Sequence, residues 1–215
     1  MDQHLLFLIN RSWTHPVLDR GMAVASSFDF WWPILLVAGI FAAVFGGFRW
    51  RAFLLAAALA VGVTDALVVD TLKGLVGRPR PNDALEGVRS IDLARASPRL
   101  LALTQPLQIR YSQARIGSLG GNSFPSGHAA NNFAVAGVAV VFFRRWGWLV
   151  MLPALVVSYS RVYVGSHWPL DVVVSALIGS GIGVLTVAVL DGLWRRLGKK
   201  CIPALQARHP SLLSA

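Results

Sequence analysis

Apolar runs long enough to cross a bilayer constrain this chain more than any other feature. A helix needs about 20 mostly apolar residues to span the hydrocarbon core, and such runs recur here between Phe30 and Leu190. Of the 215 residues, 55% are apolar and only 14% charged, which excludes an ordinary soluble domain; the length suits one domain with a core. The expected fold class is all-α: an integral membrane helix bundle of about five spans, with an N-terminal interfacial helix and a long extracytoplasmic loop. A formal net charge of +10 does not point to nucleic acid, because the arginines lie between hydrophobic spans and form no basic stripe with interleaved aromatics. Membrane orientation and anionic lipid substrates explain them better. The single cysteine, Cys201, can form no internal disulfide, and no zinc-type spacing of Cys and His is present.

Residues 4–28 open apolar, then turn polar through Asn10, Arg11, Asp19 and Arg20. Too broken to span and lacking a signal-peptide pattern, they are expected to lie in the interface as a helix. Spans are expected from about Phe30 to Gly47, Ala52 to Leu72, Ser126 to Phe143, Trp148 to Val164 with a kink at Pro153, and Trp168 to Leu190. The second carries Asp65 and Asp70, and ionisable groups within a span are functional suspects. Asp70 is close enough to the end to reach water. For Asp65, a hydrogen bond to a neighbouring helix stands beside a direct chemical role.

Between Lys73 and Phe124, prolines and the Gly117 to Gly121 cluster break any continuous helix, leaving a loop over about 82–123. Within it, Ser90 to Leu103 is expected to supply a short amphipathic helix over the site. Residues 1–200 would form one membrane domain and 201–215 a frayed tail. Arg49, Arg51, Arg144, Arg145 and the basic tail share one side, cytoplasmic by the positive-inside rule. The long loop and the 161–171 turn then face outward, although that loop is itself rich in arginine.

Three polar clusters converge on the outward side. Lys73, Arg78 and Arg80 follow the second span, and three cations at one helix end require an anion or a carboxylate partner. Pro125-Ser126-Gly127-His128 opens the third span, where Ser126 suits an N-cap and Gly127 admits a ligand to the backbone. Ser160-Arg161 through His167 to Asp171 links the last two spans; Pro169 suits a first helical turn, so that Asp171 and His167 can meet. A carboxylate on one ring nitrogen would leave the other unprotonated, as a nucleophile requires. Read alone, the last cluster could equally anchor a helix end. Together, two histidines, several cations and an anion-binding helix start suit phosphoryl transfer without a metal.

The same residues resemble the three-part signature of the type 2 phosphatidic acid phosphatase family: Lys-x6-Arg-Pro (Lys73 to Pro81), Pro-Ser-Gly-His (125–128) and Ser-Arg-x5-His-x3-Asp (160–171). The resemblance implies that His167 is the phosphate-accepting nucleophile, Asp171 its orienting partner and His128 the general acid. Lys73, Arg80, Ser126, Gly127 and Arg161 would hold the phosphate. Arg78 lies outside the signature. No metal and no other cofactor is expected. The implied partners are a lipid phosphate and the bilayer of a bacterial inner or plasma membrane, with oligomeric state left open. Undecaprenyl diphosphate comes first among substrates, then phosphatidylglycerol phosphate, phosphatidic acid or lipid A phosphates.

The departure from the family is Ser90 to Asn122, read as an insertion without histidine that governs substrate choice but not chemistry; its arginines at 95, 99, 110 and 115 suit a lipid headgroup. A solvated loop is the competing reading. A lipid-phosphate carrier would also need cations at a membrane surface, but not His128 or the paired His167 and Asp171.

Overall fold

The computed structural model describes residues 1–113 and 122–214. Arg115 and the Gly117 to Gly121 cluster lie outside the described residues. Helix α1 (Asp2–Phe7), a π-helical turn (Leu8–Ser12) and α2 (Pro16–Ser26) lead into α3 (Phe28–Phe45) and α4 (Phe48–Val63). A π-helical segment (Thr64–Val69) carries α4 directly into α5 (Asp70–Val76), and the single turn α6 (Pro81–Ala84) follows. After strands β1 (Arg89–Asp92) and β2 (Gln108–Tyr111) come α7 (Gly127–Phe143), α8 (Met151–Tyr163), the long α9 (Pro169–Cys201) and α10 (Pro203–Arg208).

Among the described residues, three stretches are long and apolar enough to cross a membrane: Phe28–Phe45, Phe48–Ala84 and Pro169–Cys201. The shorter α7 and α8 complete the bundle. Apolar side chains cover the outside of it: on α3, Val37, Phe41 and Phe45 are all largely exposed. So large an apolar surface suits lipid and not water. Pro153 sits in the first turn of α8, where proline is tolerated, behind a 3-10 turn at Gly147–Val150 that divides the expected span.

Between helices in lipid, close packing replaces the hydrophobic effect, and small residues permit it. Gly179 and Gly183 of α9 lie so close to the carbonyl oxygens of Ala130 and Ala134 that a Cβ at either would collide with α7. This contact holds α7 and α9, whose starts carry the second and third polar clusters, in fixed register. At the opposite end Arg49 donates to the Phe142 carbonyl, and Phe48 stacks on His209 with 4.1 Å between ring centroids. The basic turns therefore gather away from the polar clusters.

The N-terminal segment is not a free interfacial helix. Leu6, Ile9 and Asn10 are buried, because Asn10 donates to the carbonyls of Arg89 and Tyr163 and accepts from the Arg89 N–H. Asp19 receives the Arg89 guanidinium at 2.7 Å and the Tyr163 hydroxyl at 2.6 Å. Polar residues that read as an interfacial face instead form a buried clasp joining α2, β1 and the end of α8.

The helix expected over Ser90 to Leu103 is also corrected. β1 and β2 pair antiparallel, with Ile91 opposite Ile109, and only Arg99–Leu103 is helical. Pro98 disfavours helix in the residue before it, and β-branched Ile91 packs inward from a strand. Nor is the tail frayed: α10 folds back on α9, Leu212 is buried, and Asp191 accepts from the Ser211 hydroxyl and the Leu212 N–H.

Candidate active site

Lys73 lies in the last turn of α5, which Gly77 ends in the left-handed conformation (φ 58°) that glycine adopts without strain. The chain then runs through Arg78 and Pro79 to Arg80, at the N-cap position of α6. Arg161 occupies the last turn of α8, where it donates to the backbone and hydroxyl oxygens of Ser26 while its Nε is buried without a partner among the described residues. Beyond it the N–H groups of Ser166 and His167 both bond the Arg161 carbonyl, and Gly165 turns the chain at φ 73°. A Cβ at Gly165 would come within 2.6 Å of the Arg89 carbonyl oxygen, so the turn fits against β1 only as glycine.

One cavity of about 560 Å³ receives Lys73, Arg80, Gly127, His128, Arg161 and His167, together with Asp65, Asn131 and the apolar Phe28, Leu35, Val61 and Val135. Six of the eight expected site residues thus line one space. A second cavity of about 630 Å³ shares Phe28, Arg80, His128 and Arg161 with the first and opens under the β-hairpin, beside Arg99 and Arg110. None of the ion pairs among the described residues involves Lys73, Arg80 or Arg161. Ser126 stands at the N-cap position of α7 but does not cap it: its N–H bonds Ser175 Oγ at 2.8 Å, and its own buried hydroxyl has no partner among the described residues. Three cations in one cavity, with the unpartnered Ser126 hydroxyl next to Gly127 at its edge, suit an oxyanion.

His167 is 3% exposed, and its Nδ1 lies 2.7 Å from the Ser123 carbonyl oxygen. A carbonyl only accepts, so Nδ1 carries the proton and Nε2 keeps its lone pair. Burial, reinforced by Arg161 and Arg80, pushes the His167 pKa down to about 3, and the imidazole is neutral near pH 7.

Here the expected direct pairing of Asp171 with His167 fails. Asp171 does sit in the first turn of α9 behind Pro169, fully buried. Its carboxylate is already occupied: Oδ1 accepts from Arg78 at 2.5 Å, and Oδ2 accepts from Ser123 Oγ at 2.6 Å and from the Trp168 N–H at 3.2 Å. Ser123 is the relay, its hydroxyl on Asp171 and its carbonyl on the imidazole. Ser123 is the last residue of the long loop at about 82–123 and lies just beyond the insertion, Ser90 to Asn122, that is expected to take no part in the chemistry.

Arg78, whose role the motifs left open, also bonds Asp2 at 2.6 Å and lies 4.9 Å from the Trp168 ring centroid. The surplus of cations after the second span was the one sequence signal for this pairing. Nothing in the sequence marked Ser123, because its working atom is a backbone carbonyl.

A family model, the PAP2 superfamily, matches residues 49–195. The chain is 30% identical over 203 residues to the lipid A 4'-phosphatase of Bacteroides thetaiotaomicron, covering 92% of this chain and 80% of that one. A shorter likeness, 46% over 68 residues, joins it to the undecaprenyl-diphosphatase of Sulfolobus acidocaldarius and covers 31% and 33% of the two chains. In structure it is similar to LpxE of Aquifex aeolicus, with a TM-score of 0.59 and 28% identity over 87% of this chain and 94% of that one. The match runs through all three polar clusters and the helices that carry them: this chain belongs to the PAP2 superfamily and is a membrane lipid phosphatase.

Proposed function

We propose that the chain hydrolyses a lipid phosphate in two steps through phosphohistidine at His167. Nε2 attacks phosphorus, the bond from phosphorus to the lipid oxygen breaks, and His128 gives its proton to that oxygen. Water then attacks the phosphohistidine, returning a proton to His128 and the lone pair to Nε2. Lys73, Arg80, Arg161, the Ser126 hydroxyl and the backbone at Gly127 neutralise the phosphoryl oxygens. The observation that carries this reading is the His167 to Ser123 hydrogen bond, which leaves the Nε2 lone pair free in a cavity shared with His128 and three cations. With those cations present no metal is required.

For the substrate, a sugar-linked lipid phosphate of the lipid A type ranks ahead of undecaprenyl diphosphate. Likeness to the Bacteroides enzyme extends over 92% of the chain, whereas the undecaprenyl-diphosphatase likeness covers 31%. The insertion, now a hairpin beside the second cavity, would select the headgroup. Phosphate release from lipid A, undecaprenyl diphosphate, phosphatidylglycerol phosphate and phosphatidic acid should be greatest on lipid A and should persist in EDTA. Loss on chelation with recovery in magnesium would contradict the mechanism, and preference for undecaprenyl diphosphate would reverse the substrate order.

The site is proposed to open on the extracytoplasmic side of a bacterial inner or plasma membrane, from the basic turns gathered at the other end. In intact cells an impermeant thiol reagent should label Ser97→Cys, at an exposed loop position, and not Cys201. The reverse pattern would invert the orientation.

A further inference from the structure

Asp65 is an ionisable residue at span depth that the reaction above does not use. It lies in the π-helical segment between α4 and α5, a distortion frequent at functional sites. Its neighbour Thr64 is turned away, bonding the Ala60 carbonyl at 2.7 Å. Asp65 instead faces the cavity that holds His128 and His167. Its one hydrogen bond among the described residues comes from Asn131 Nδ2 of α7, at 3.3 Å.

That bond fixes the Asn131 amide. A carboxylate only accepts, so Nδ2 must face Asp65 and Oδ1 must face away. Asn131 Oδ1 is buried and has no partner among the described residues. Asn131 Oδ1 is thus held inside the packing, and the acceptor that faces the cavity is the Asp65 carboxylate, at an exposed position among charged groups that are otherwise donors. A carboxylate close to a phosphate site is unfavourable unless the ligand brings a donor to it.

The position of the pair says which part of the ligand that donor belongs to. Asn131 follows His128 by three residues and so shares its face of α7, about one turn further on. A Cβ at Gly127 would stand 3.6 Å from Asp65 Oδ1. The carboxylate thus adjoins the group bonded to the oxygen that His128 would protonate. Neither Lys73 nor Arg80 forms an ion pair with Asp65, so a counter-ion role is not seen.

We infer that Asp65, held by Asn131, is a specificity-determining residue whose carboxylate accepts hydrogen bonds from the leaving alcohol, selecting lipid phosphates with hydroxyl or amide N–H groups near the ester over polyprenyl phosphates, whose chains have none. This rests on the phosphatase reading and deepens it.

The test is the ratio of kcat/KM on lipid A to that on undecaprenyl diphosphate, with the full chain in detergent. Asp65→Asn keeps a bond to Asn131 and so preserves packing, but weakens the acceptor; the ratio should fall by about 10- to 100-fold, as for loss of a hydrogen bond to a charged group. Asn131→Leu, which removes the bond that holds Asp65 at similar volume, should move it the same way. A ratio within about threefold of wild type in both variants, whether each rate falls equally or not at all, would overturn the inference. Wild-type protein inert on all four lipid phosphates named above would instead refute the phosphatase reading, and the role of Asp65 with it.

Discussion

His167→Ala is expected to lower kcat by about 10⁴-fold or more, the scale of loss when a nucleophile is removed from a concerted site, while the protein remains folded. The imidazole packs against a backbone carbonyl, so its removal leaves no buried charge uncompensated. Binding should survive, since Lys73, Arg80 and Arg161 are untouched, and KM or inhibition by inorganic phosphate should change little. Single-turnover measurement on lipid and on a small soluble ester checks both parts. Turnover within about tenfold of wild type would exclude His167 as the phosphoryl acceptor.

Asp171 carries the second large effect, and the two substitutions that probe it should differ. Asp171→Ala takes both partners from Ser123 Oγ and Arg78 at a fully buried position. A loss of about 3 kcal/mol is expected, at the low end for a broken buried pair because Arg78 is 28% exposed and keeps Asp2. Activity should fall by about 10²-fold or more as Ser123 loosens and His167 loses its orientation. Asp171→Asn is milder: its amide oxygen still accepts from Ser123 and Trp168, and the imidazole tautomer is set by a carbonyl that no side-chain change alters. About tenfold loss is expected, because the amide NH2 that replaces Oδ1 is a donor and cannot accept from Arg78. Thermal unfolding and kcat, measured on both variants, separate the contributions. Asp171→Asn as inactive as His167→Ala would mean that the carboxylate meets the imidazole directly during turnover.

These contrasts reflect what could be read from the sequence. The spans were legible because the bilayer demands long apolar runs, and α3, α7 and the start of α9 begin within about two residues of the expected positions. Lys73, Arg80, Gly127, His128, Arg161 and His167 share a cavity because their motifs stand at helix ends on one side of the bundle. Asp65 does bond a neighbouring helix, one of its two open readings, and Asp70 is exposed, as its place near a span end suggested.

What escaped was polar, long-range and often carried by the backbone. Asp171 and His167 are close in sequence, yet proximity could not reveal that Arg78 and Ser123 had already filled the carboxylate. Asn10 and Asp19 looked like solvent-facing residues until Arg89 and Tyr163 supplied buried partners more than 60 positions away. The β-hairpin eluded periodicity because each strand is only four residues long.

The central claim is a covalent phosphoryl intermediate on His167, and the stereochemical course at phosphorus tests it most directly. A thiophosphate ester made chiral with oxygen isotopes would be hydrolysed in isotopically labelled water and the configuration of the released thiophosphate determined. Two in-line displacements, first by Nε2 and then by water, each invert phosphorus, so the account predicts overall retention. Net inversion would mean that water attacks the substrate in one step, and would contradict it.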